Sequence, residues 1–143
     1  MTIYIAATAP LPLIPWSDDE PAFNVNELGS EYHDAKVRRQ FSKQYVYYVG
    51  SHQSCGCGFS YGQYPGFEDN DDEESKKRES VRRLAEYLDQ VTRQHGQAEL
   101  CACWDGDQGE EPEHRGRITP TDIGGDAFWF EEKQFFVVGP SSG

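Results

Sequence analysis

Positive charge is what this sequence has least of. Thirteen Lys and Arg stand against 25 Asp and Glu, a formal charge of −12, and a surface of that sign repels a phosphate backbone wherever charge is felt. Nucleic acid is therefore excluded as a partner, whereas the same field speeds encounter with a basic protein. Cysteine is scarce: four in 143 residues are too few for a disulfide scaffold and fit a cytoplasmic chain with reduced thiols. Long apolar runs are missing as well. The opening "MTIYIAATAPLPLIPW" has no Lys or Arg ahead of its apolar stretch, and Pro10, Pro12 and Pro15 interrupt it. It reads neither as a signal peptide nor as a membrane span.

Aromatic residues supply what aliphatic content does not. Eight Phe, eight Tyr and three Trp carry large buried areas per side chain, and a chain of this length buries roughly 68% of its unfolded surface. The expectation is one α+β domain over 1–138 followed by a flexible tail at 139–143.

Hydrophobic period separates the elements. "TIYIA" alternates Ile3 and Ile5 against Tyr4 as a short strand, and "QYVYYVG" predicts another at Tyr45 to Val49. "CGCGFSY" is read as continuing that sheet, with Cys55, Cys57 and Phe59 on one face. Residues 16–34 hold six acids and no Lys or Arg, a surface connection with a short helix expected at Glu27 to Arg39, through Leu28, Tyr32 and Ala35. Val81, Leu84, Ala85, Leu88 and Val91 recur at steps of three and four, which predicts a long helix from Asp71 to His95. Acids from Glu68 to Glu74 suit its N-terminus, and Gly96 suits its stop. "AELCACW" is apolar on both faces and reads as a central strand. The acidic loop "DGDQGEEPEHRG" follows. "TPTD" starts a one-turn helix capped by Thr119, and "AFWFEEKQFFVV" reads as a terminal hairpin. Together these elements predict a mainly antiparallel sheet of five or six strands with one long amphipathic helix packed on one face.

Two Cys-x-Cys pairs are the most distinctive local pattern. Cys55, Cys57, Cys101 and Cys103 could supply a tetrahedral zinc site if their strands lie side by side, although structural zinc pairs are usually spaced by two to four residues. Reduced cysteines filling interior space are the plainer reading, and no cofactor is expected apart from that zinc alternative. His52 lies three residues before Cys55, which raises a small thiol enzyme as a further alternative. The stretch from Asp105 to Gly116 does not satisfy a calcium loop, because Gly109 and Gly116 stand at ligand positions. His33, His95 and His114 sit in polar surroundings and read as surface residues.

With no catalytic constellation in view, the expected function is a non-enzymatic protein-binding module. It would act as an acidic inhibitor or immunity-type protein for a basic partner, with no membrane role. Its partner-facing residues are expected to be Asp71, Asp72 and Glu73 at the helix start, with Trp104, Asp105, Asp107, Glu110 and Glu111 around the acidic loop. Trp104 is the natural aromatic anchor of that surface.

Overall fold

A computed structural model describes residues 1–29, 32–60 and 70–141. Expectations that fall on Tyr61, Glu68, Asp69 and the side chains of Tyr32 and His33 lie outside them. The fold is α+β: six strands in the order β2-β3-β1-β4-β6-β5 form one sheet. These are β1 Thr2–Ala7, β2 Asn24–Glu27, β3 Tyr45–Gly50, β4 Ala98–Cys103, β5 His114–Ile118 and β6 Gln134–Val138. All neighbours are antiparallel except β5 and β6.

The strands β1 and β4 lie at the centre and are buried at every position, as expected of strands apolar on both faces. Alternation then sorts their side chains. Ile3, Ile5, Leu100 and Ala102 face the helix α2, Asp71–His95, where Val81, Leu84, Leu88 and Val91 complete the core. Leu84 and Leu88 are fully buried, and each burial contributes about 1.5–3 kcal/mol. The Asn70 side chain accepts from Glu73 N–H at the start of α2, and Gly96, at φ +90°, ends it.

Tyr4, Ala6, Cys101, Cys103 and Phe135 point to the other face. There Val37 and Phe41 cover them from α1, Tyr32–Lys36, and the 3-10 turn that follows it. Tyr4 Oη donates to Asp34 Oδ1 at 2.5 Å and accepts from Gln108 Nε2 at 3.1 Å, which ties both α1 and the 104–113 loop to this face.

Four expectations need correction. The helix foreseen from Glu27 to Arg39 begins only at Tyr32, because Val25, fully buried, pairs with Val49 and draws Asn24–Glu27 into the sheet. The segment at Cys55 to Phe59 is not a strand. The chain turns after Gly50 through Ser54, at φ +66°, into a 3-10 helix, Gly56–Phe59. Its glycines answer to close packing: a Cβ on Gly58 would lie 2.2 Å from Ser51 Oγ, and one on Gly56 2.7 Å from Ile3 Cγ1. The terminal hairpin is half present, since β6 already has β4 and β5 on its two edges. Phe128 and Phe130 instead pack edge-on against each other, their ring centroids 5.1 Å apart, with Phe130 in the core and Phe128 against it. Finally, the acidic loop ends sooner than expected, because β5, Pro120–Ile123 (α3) and β6 form a parallel crossover that starts at His114. α3 itself carries the foreseen Thr119 cap, reciprocated by Asp122.

Candidate functional site

Strand register gathers most of the candidate residues at one end of the sheet. Ile3 lies opposite Val49, Thr2 opposite Cys103, Ala102 opposite Gln134, and Gln134 beside His114. The start of β1, the ends of β3 and β4 and the starts of β5 and β6 therefore share that end. The 51–60 loop, the 104–113 loop and residues 130–133 meet there.

The structure does not bring the four sulfurs together. Cys101 and Cys103 are 3% and 2% exposed on the face away from α2, with Thr2 Oγ1 3.4 Å from Cys103 Sγ. Cys55 caps the 3-10 helix, its Sγ accepting from Cys57 N–H at 3.4 Å, and Cys57 is exposed beside the Met1 amino group at 3.7 Å. Among the described residues no three His, Cys, Asp or Glu side chains gather as a set able to hold a metal. Burial, together with the hydrogen bond shared with Cys57, pushes the Cys55 thiol up. Burial also works upward on Cys57, but the hydrogen bond from Cys55 and the nearby amino group outweigh it and hold that thiol below the usual range. In the interior pair, the hydrogen bond between the sulfurs drives Cys101 up and Cys103 down, with burial raising Cys101 further and opposing the fall of Cys103.

Beside Cys57 opens a cleft of about 550 Å³. Met1 and Phe130 give it apolar walls, and Trp104 stands at its edge with 55% of its surface exposed. Glu113, Glu131, Glu132 and His114 supply its polar lining. Trp104 N–H donates to Glu132 Oε2, whereas Glu132 Oε1 is buried and, among the described residues, meets no donor. Burial and the adjacent Asp107 carboxyl raise Glu132 to about 7. A proton on Glu132 can be shared with Asp107 and supplies the missing donor. Sequence reasoning missed this carboxyl pair, because Glu132 and Asp107 are 25 residues apart and only the meeting of β4 and β6 joins their loops.

The expected acidic surface divides. Asp105 accepts from Gln108 Nε2, and Glu110 contributes its carbonyl to Gln40 Nε2, so the loop bearing Trp104, Asp105, Asp107, Glu110 and Glu111 packs over the α1 face. Asp71, Asp72 and Glu73 begin α2, which packs on the other face, and none of them lines the cleft. Glu73 is engaged locally: its Oε1 accepts from Gln53 Nε2 at 2.6 Å and lies 2.8 Å from His52 Nε2. His52 Nδ1 in turn meets Ser80 Oγ at 3.0 Å. These are the residue types of a serine hydrolase relay, but Ser80 is 2% exposed and its Oγ also receives the His52 backbone N–H. The chain acts as a latch holding the 51–60 loop on α2, and it commits both ring nitrogens of His52 away from Cys55.

A second groove, between α2 and α3, holds about 520 Å³ and is rich in arginine. Its charges are largely paired within the groove and on its rim: Arg82 with Glu79 and Glu86, Arg93 with Asp89, and Arg78 with Asp126. No described helix is long and apolar enough to cross a membrane. A scan against protein-family models found no match, and neither the curated proteins nor the solved structures gave one.

Proposed function

We propose that this protein is a non-enzymatic binding module that receives a cationic segment of a basic partner protein in the cleft at Trp104. The observation that carries the reading is the convergence of one exposed indole and three glutamates on a single cleft. An arginine laid over the indole face gains about 0.5–2 kcal/mol. Met1 and Phe130 suit its apolar stem, and the net charge of −12 steers it inward. An inhibitor or immunity-type role against a cationic toxin or enzyme follows from that chemistry.

Titration of a synthetic Arg-Gly repeat peptide into the full chain tests the proposal by calorimetry. Binding should weaken at least about tenfold between roughly 50 and 500 mM salt. Trp104→Ala should weaken it by about 2 kcal/mol, roughly thirtyfold. Binding indifferent to both salt and Trp104 would overturn the reading.

A further inference from the structure

The 51–60 loop carries a second chemistry that docking does not require. Cys57 is exposed and lines the cleft, Cys55 sits half-buried behind it, and their side chains are within hydrogen-bonding reach of each other. Gly56 between them has no side chain to resist ring closure. Packing fixes the loop: Gly56 N–H donates to Met1 O at 3.1 Å, Ser51 Oγ donates to Cys55 O at 2.6 Å, and Tyr48 Oη donates to Ser54 O at 3.0 Å. An exposed thiol backed by a second, less accessible one is the arrangement of an attacking and a resolving cysteine.

We propose that Cys57 and Cys55 form a redox dithiol that exchanges with low-molecular-weight disulfides and favours cationic ones. The Cys57 thiolate attacks one sulfur of the disulfide, forming a mixed disulfide and expelling one thiolate, which takes up a proton. Cys55, giving its proton to solvent, then attacks Cys57 Sγ and expels the second thiolate. The dithiol loses two electrons and two protons, and the small disulfide gains both as two thiols. The preference for cations comes from Glu113 and Glu131, which line the same cleft as Cys57. The lowered affinity of Cys57 for its proton favours the same order of attack. The proposal shares the cleft with the docking reading but needs no partner protein, so peptide titration and thiol assay fail separately.

Reduced full-length protein is treated with cystamine, a cationic disulfide, and separately with glutathione disulfide, an anionic one, and the products are mapped by peptide mass spectrometry. The expected product is a Cys55–Cys57 disulfide, formed at least about tenfold faster with cystamine at low salt, a ratio that shrinks as salt rises. Cys55→Ser should trap the mixed disulfide on Cys57, while Cys57→Ser should leave Cys55 slow to react. First attack at Cys55, Cys101 or Cys103, or equal rates with the two disulfides, would overturn the proposal. If Cys55→Ser loosens the loop, the order of labelling in the unaltered chain still decides the site of first attack.

Discussion

Cys55-Gly-Cys57 and Cys101-Ala-Cys103 have the same spacing and opposite surroundings. The first pair sits where β3 has turned away from the sheet into a 3-10 helix, with Cys57 exposed. The second lies within β4, where the pleat sends both sulfurs to one buried face beside Phe135 and Tyr4. One pair is a surface group with a raised and a lowered thiol in contact with solvent; the other is filling for a core. The lesson is that the motif alone does not assign chemistry: the backbone that carries it does.

The largest way to break that comparison is reactivity. Under native conditions Cys57 should react with a small alkylating agent at least about a hundredfold faster than Cys101 or Cys103, and unfolding in denaturant should erase the difference. Comparable native rates, read by mass spectrometry, would mean that the two pairs are not in different environments. Next in size is Gly58→Ala, whose Cβ meets Ser51 Oγ at 2.2 Å. It should cost about 1–3 kcal/mol in a denaturant melt and shift the Cys57 rate, because the clash displaces the loop that orients the thiols. Cys101→Ser should cost about 2 kcal/mol, since it leaves a hydroxyl in an apolar face, whereas Cys57→Ser should stay within about 0.5 kcal/mol.

Much of the scaffold was readable because its pattern is local. The α2 stripe of Val81, Leu84, Leu88 and Val91 repeats at helical period, and β1 and β4 show apolar residues on both faces, so helix and central strands follow from spacing. By contrast, β5 reads His-Arg-Gly-Arg-Ile, an exposed edge strand whose charged residues protect it from further pairing and hide its strand character. The hairpin expectation failed for a tertiary reason: nothing in "AFWF" says that both edges of β6 are already taken. At the cleft, Trp104 stood out in the sequence, but Glu132 and Phe130 did not. Their roles depend on contact with Asp107 and Phe59 across the fold. The His52–Ser80–Glu73 latch was invisible for the same reason.

The smallest expected effect sharpens the contrast between the cleft and the rest of the surface. Glu132 is held at about 7 in the folded chain against an ordinary 4.5, so the folded state keeps a proton that the unfolded chain releases. Its contribution to stability is present below about pH 4.5 and is lost as pH rises to about 7. The groups facing it are Asp107, Lys133, the Trp104 N–H and the two interior thiols. Glu132→Gln should flatten that segment of the stability profile, measured by denaturant melts across pH. A bound cation favours the ionised carboxylate, so peptide binding to the unaltered protein should strengthen over the same rise in pH.

Charge-matched variants measure directly where on this surface the negative charge matters. Glu113→Gln with Glu131→Gln removes two charges from the cleft; Asp71→Asn with Asp72→Asn removes two from the start of α2. Calorimetric titration with the Arg-Gly peptide should show at least about a tenfold loss for the cleft pair and at most about a twofold loss for the helix pair. Equal losses would mean that the peptide responds to overall charge, and the cleft at Trp104 would not be the binding site.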